Sequence, residues 1–97
     1  MPICRLTRAM AVDFGAQGIR VNSLTPGFID TPMGRDWVNQ NPDPEKRWQE
    51  IYASHPMGRL PTAHEVAKAA LFLASDDSSG ISGIEIVVDC GRQVVRR

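Results

Sequence analysis

The stretch 19–32, IRVNSLTPGFIDTP, has the residue types and spacing to hold a small polar ligand. Thr25-Pro26-Gly27 stops a strand: Pro26 has no N–H to donate, and Gly27 can take backbone angles closed to other residues. A Pro-Gly turn followed by extended chain leaves backbone N–H and C=O groups unpaired and facing a crevice. A carboxamide offers one acceptor and two donors, so a free backbone N–H and C=O with a small hydroxyl would fix it. Thr31 supplies a hydroxyl that both donates and accepts. The same residues also read as an ordinary strand-to-loop turn with no ligand.

Other candidates for chemistry read more plainly. His55 and His64 have the ring of a general base, but neither has a Ser, Cys or Asp nearby in a triad-like arrangement. Both are expected to be non-catalytic, with His64 exposed in the first turn of a helix. Asn22 is expected to tie down the strand end, and Asp89 to fix a loop with its carboxylate. Arg59 suits a carboxylate, a partner subunit or a solvated face. Cys4 and Cys90 lack C-x-x-C spacing and a nearby His pair, so two reduced thiols are expected and no metal site.

The loop needs elements to carry it. Ile19 and Val21 alternate with Arg20 and Asn22, which predicts a strand over 19–24. In open α/β sheets, ligands bind outside the carboxyl ends of strands. Residues 3–14 read as a helix with Ile3, Leu6 and Met10 on its core face. The segment 35–42 shows no clean period. Asp43-Pro44-Glu45 starts a helix bearing Trp48, Ile51 and Tyr52, which ends before Pro56. Thr62-x-x-Glu65 is a capping box ahead of an alanine-rich apolar run, expected to pack closely on a sheet. Residues 84–89, IEIVVD, read as a strand, and the tail RQVVRR as frayed.

Composition narrows the classes. The 97 residues suffice for one small domain. Lys plus Arg and Asp plus Glu both number 11, so no basic footprint for nucleic acid or membrane is present. The hydrophobic share of 42% is too high for a disordered chain. No apolar run approaches the ~20 residues of a membrane span. Arg5 and Arg8 interrupt the start, so it is not a signal-peptide core. A cytoplasmic location is expected.

An ordered set of motifs resembles the short-chain dehydrogenase/reductase family over nearly the whole chain. It comprises Leu6-Thr7-Arg8, Ile19-Arg20-Val21-Asn22, Pro26-Gly27, Thr31 and His55-Pro56-Met57-Gly58-Arg59. It continues through Glu65-Val66-Ala67, Phe72-Leu73-Ala74-Ser75-Asp76, Gly83 and Val88-Asp89. The resemblance implies an α/β fold, the C-terminal part of a Rossmann-type parallel sheet, incomplete on its own. Residues 1–97 then form the C-terminal fragment of an NAD(P)-binding domain, with 33–56 in place of the substrate lid. By the same resemblance, Ile29 contacts the nicotinamide carboxamide through its backbone, and Thr31 reaches the carboxamide or the pyrophosphate. Pro26 and Gly27 shape the wall. Trp37, Trp48 and Tyr52 either line an apolar pocket or pack the lid helix onto the body.

The implied cofactor is NAD or NADP, and the implied reaction is hydride transfer between it and a small alcohol or carbonyl. The family's Gly-rich cofactor turn is missing, as are its catalytic Ser, Tyr and Lys. Tyr52 is the only tyrosine, and no Lys follows it one helical turn on. Laid against the pattern, Met1 falls just past the catalytic Lys. No catalytic residue is therefore assigned, and the chain alone is expected to be inactive. Homo-oligomerisation or pairing with a longer homologue is the alternative role. Cys90 stands where the family usually places the first Gly of Asp-Gly-Gly, which puts that turn and the usual subunit contact in question.

Overall fold

Capping side chains set where two of the helices begin. Asp43 accepts the Lys46 N–H at 3.2 Å, and Pro44 follows in the first turn, where no N–H is needed. Thr62 Oγ1 accepts the Glu65 N–H at 3.1 Å, while Glu65 Oε1 accepts the Thr62 N–H at 2.9 Å. The computed structural model describes residues 2–95. In chain order the elements are α1 (Pro2–Phe14), β1 (Ser23–Pro26), α2 (Pro32–Asn39), α3 (Pro44–Ala53), α4 (Ala63–Ala74), β2 (Glu85–Val88) and α5 (Arg92–Val95). Strands β1 and β2 pair side by side and in parallel, giving the α/β class expected. The chain divides into two compact units, Met1–Thr25 with Ala67–Val87 and Pro26–Val66 with Val88–Arg97.

In the first unit the ladder starts later than the predicted 19–24. The Gly83 N–H reaches the Val21 C=O at 2.7 Å, and the Ser23 N–H reaches the Ile84 C=O at 2.9 Å. Residues 19–22 face a turn, so side chains replace ladder bonds there. Asn22 Nδ2 donates to the Ile81 C=O at 3.0 Å, and its Oδ1 accepts the Ile84 N–H at 3.2 Å, the tying role expected. Arg20 donates to Ser78 Oγ at 2.9 Å and to the Ser75 C=O at 3.2 Å, holding the chain that leaves α4.

The helix α1 is present, and Met10 and Phe14 of its predicted core face are half-buried, but the face turns away from Ile3 and Leu6. Ile3 and Leu6 are 59% and 60% exposed, while Thr7 is buried. The inward stripe is Cys4, Thr7, Met10, Ala11 and Phe14. Thr7 can sit inside because its hydroxyl donates to the Ile3 C=O at 2.7 Å. The close sheet packing expected of α4 is not seen either: Leu71 stays 69% exposed. A sheet of two strands is too narrow to cover such a face.

The second unit holds the apolar core. Val38, Ile51 and Leu60 are buried together, with Phe28 and Trp48 packed on them. Val38 comes from α2, a helix that the sequence reading missed over 35–42. Thr31 caps it by accepting the Gly34 N–H, and Pro32 follows at its first position. Asp89 accepts the N–H groups of Gly91 and Gln93 at 3.0 and 2.8 Å, as a loop-fixing carboxylate should. It thereby helps order α5, where a frayed tail was predicted; Arg96 and Arg97 lie outside the described residues. Cys90 takes a φ of 55°, a left-handed backbone that costs a side chain about 1–2 kcal/mol and Gly nothing. The turn expected of Asp-Gly-Gly therefore forms, under strain, with Cys90 in it.

Candidate functional site

Pro26 and Gly27 sit where β1 runs out. Gly27 still donates to the Val88 C=O at 3.0 Å, so the ladder continues one step past Pro26. Pro26 fits because the donors facing β2 alternate along the strand, and its position falls between them. A Cβ on Gly27 would meet Asp89 Cβ at 2.7 Å and Asp89 Cα at 3.2 Å. Gly27 does not take a positive φ. The residue is demanded by close approach to the end of β2, where the sequence reading stressed its backbone freedom.

The next residues alternate between paired and unpaired. The Asp30 N–H donates to the Pro61 C=O at 2.9 Å, and Asp30 bridges Thr62 in parallel. Among the described residues, neither the N–H nor the C=O of Ile29 meets a hydrogen-bond partner. Thr31 Oγ1 accepts the Gly34 N–H at 3.1 Å, which leaves its own proton to donate. The loop therefore presents a free backbone donor, a free backbone acceptor and a hydroxyl donor within three consecutive residues.

Asp30 is held from the other side by Arg35. Its two carboxylate oxygens accept from Nε at 2.6 Å and Nη2 at 2.9 Å. That hydrogen bonding, opposed by burial, lowers the Asp30 carboxyl below its ordinary value. The same guanidinium lies 5.1 Å above the Trp48 ring, and Trp48 stacks on Tyr52 at 5.5 Å and 22°. Trp48 Nε1 donates to Asn39 Oδ1 at 2.9 Å. Asp30 and Arg35 escaped the sequence reading, although opposite charges five apart around a Thr-Pro helix start were visible.

The aromatics of 33–56 divide. Trp48 and Tyr52 stack on each other along α3, and Trp48 also packs on the Val38, Ile51 and Leu60 core. Trp37 is 62% exposed and tilts against Phe28 at 6.5 Å. The groove beside Trp37, about 570 Å³, is polar, lined by Asn41, Asp43, Lys46, Arg47 and Glu50. His64 is exposed, as expected. His55 is buried, and its Nδ1 lies 2.7 Å from the Ile51 C=O, which can only accept. Arg59 spends its guanidinium on both oxygens of Glu65, at 2.8 Å each. Cys4 and Cys90 are free thiols, each pushed up in pKa, burial being the main cause. Among the described residues no helix is long and apolar enough to cross a membrane.

Residues 2–93 match the family model described as enoyl-(acyl carrier protein) reductase. A Danio rerio protein described as dehydrogenase/reductase SDR family member 6 is 44% identical over 86 residues, covering 89% of this chain and 35% of that protein. Oxidoreductase UcpA of Escherichia coli K12 is 44% identical over 91 residues, covering 92% of this chain and 35% of UcpA. The crystal structure of YwfH, an NADPH-dependent reductase involved in bacilysin biosynthesis, superposes with a TM-score of 0.81 at 32% identity, covering 92% of this chain and 35% of YwfH. The chain thus spans 35% of the length of these relatives.

Proposed function

This chain belongs to the short-chain dehydrogenase/reductase family, and from that premise we propose that it forms the nicotinamide side of an NAD(P)-dependent oxidoreductase. The observation that carries the reading is the unpaired backbone of Ile29 beside the Thr31 hydroxyl. Ile29 N–H and C=O would hold a carboxamide by its acceptor and a donor, and Thr31 would donate to the carboxamide or to the pyrophosphate. Pro26 and Gly27 would form the wall, kept close to β2 by the missing Gly27 side chain. The donor set fits NAD or NADP equally. When bound, that group supplies the hydride exchanged with a small alcohol or carbonyl. The segment 33–56 would act as the substrate lid, and residues 1–97 would be the carboxyl-terminal portion of the NAD(P)-binding domain.

This chain's own residues bind and orient; none of them is assigned the proton transfer. The only tyrosine, Tyr52, stacks on Trp48 and has no Lys one helical turn on. The 97-residue chain alone is expected to show no NAD(P)H-dependent carbonyl reduction. Titrating it with NADH or NADPH while following backbone amides by NMR tests the binding role. Shifts that include Gly27–Thr31 are expected; no shift at those amides would overturn it.

A second reading, an interaction module that pairs with its own kind or a longer homologue, is favoured by the exposed Ile3 and Leu6 on α1. Co-purification with a longer dehydrogenase would support it, and a clean monomer would count against it.

A further inference from the structure

Asp30 lies between the two residues assigned to the carboxamide, Ile29 and Thr31. Its backbone is anchored to Pro61, and its two carboxylate oxygens are gripped by Nε and Nη2 along one edge of the Arg35 guanidinium. Isolated exposed ion pairs hold little, but a two-pronged pair with a planar backing loses less freedom on forming. Arg35 has that backing. Its guanidinium lies over Trp48, Trp48 is pinned by Asn39, and Tyr52 stacks on its ring. Asp30, Arg35, Trp48 and Tyr52 therefore make one continuous contact path from the loop to α3.

We propose that Arg35 is a positioning residue that couples the Ile29–Thr31 loop to α3, so that the set of the loop and the set of the lid segment depend on each other. This deepens the cofactor reading above and rests on it for its functional meaning. The Arg35 backbone N–H donates to the Thr31 C=O at 2.9 Å in the first turn of α2, but its side chain bonds neither Ile29 nor Thr31; the guanidinium acts through Asp30. The side chain is half exposed, which suits a coupling that can open and close, and a buried structural clamp would not. The guanidinium stays protonated throughout, because the Asp30 hydrogen bonds raise its pKa further.

Hydrogen exchange at the Asp30 and Gly34 amides, which donate to the Pro61 C=O and to Thr31 Oγ1, tests the coupling without any ligand. In Trp48→Leu, which removes the ring under Arg35, these amides are expected to exchange about fivefold faster, the size expected when an exposed ion pair is lost. Trp48→Phe, which keeps a ring there, should restore slow exchange, and Arg35→Lys should behave like Trp48→Leu. Ile51→Val is the control, since it loosens the core on which Trp48 packs while leaving the Arg35, Trp48 and Tyr52 side chains in place. Equal acceleration in Ile51→Val and Trp48→Leu, or none in Trp48→Leu, would overturn the proposal.

An NADPH titration then separates the two readings. Loop amides and the Trp48 indole N–H shifting together supports both. Loop shifts with a silent indole overturn the coupling and leave the cofactor reading standing. No loop shift overturns the cofactor reading, while the exchange experiment still decides the coupling.

Discussion

Glu65 performs two tasks with one carboxylate. It closes the capping box with Thr62 and accepts both arms of Arg59. The Arg59 hydrogen bond first, then the Thr62 N–H, holds its carboxyl down to about 2 from an ordinary 4.5. A carboxyl depressed by folding adds stability above its unfolded value, and that contribution fades as pH falls through the folded one. Acid should therefore weaken the fold from about pH 4.5 towards pH 2. Urea midpoints followed by circular dichroism should fall across that window. Glu65→Gln should flatten the fall in part, because Asp30 and Glu85 are lowered too, each mainly by a side-chain hydrogen bond. An unchanged slope in Glu65→Gln would assign the acid sensitivity elsewhere. The cap was legible from Thr62-x-x-Glu65 spacing; the grip of Arg59 on the same oxygens was not, since spacing alone also allowed a partner subunit or solvent.

Elements were legible where local chemistry decides them. Asp43-Pro44 and Thr62-x-x-Glu65 announced α3 and α4. Thr31-Pro32 carried the same cap-and-proline signal for α2, but Thr31 had been read only for its ligand-facing hydroxyl. One hydroxyl serves both uses, accepting from Gly34 and keeping a proton to donate. The start of β1 moved because pairing depends on what lies opposite, and 19–22 face a turn. Arg20 is the side chain that makes this junction hold. It bonds Ser78 Oγ and the Ser75 C=O, and Ser78 itself is buried. Arg20→Met should cost about 2 kcal/mol, the usual size for losing charge-assisted bonds to partly buried partners. A urea denaturation midpoint within error of the parent would refute that assignment.

For the whole molecule, the balance between buried and exposed apolar groups sets the expectation. Among the described residues the buried hydrophobic side chains are Val38, Ile51, Leu60 and Cys90, while Ile3, Leu6, Val12, Met33, Trp37 and Leu71 stay largely exposed. A core that small should leave the 97-residue chain below about 5 kcal/mol of unfolding free energy, the lower edge for native domains. The exposed face of α1 should make apparent stability rise with protein concentration. A dilute monomer with an unfolding free energy above about 8 kcal/mol would contradict this. The sequence by itself determined the family, the helices α1, α3 and α4, the presence of the two strands and the caps at Asp43 and Thr62, because these rest on local backbone chemistry and ordered motifs. Only the tertiary structure decided that α1 turns Thr7 inward, that Gly27 is needed for contact with Asp89, and that Arg35 reaches Asp30 and Trp48. Each of those depends on which residues from distant parts of the chain arrive opposite one another, and no local pattern encodes that.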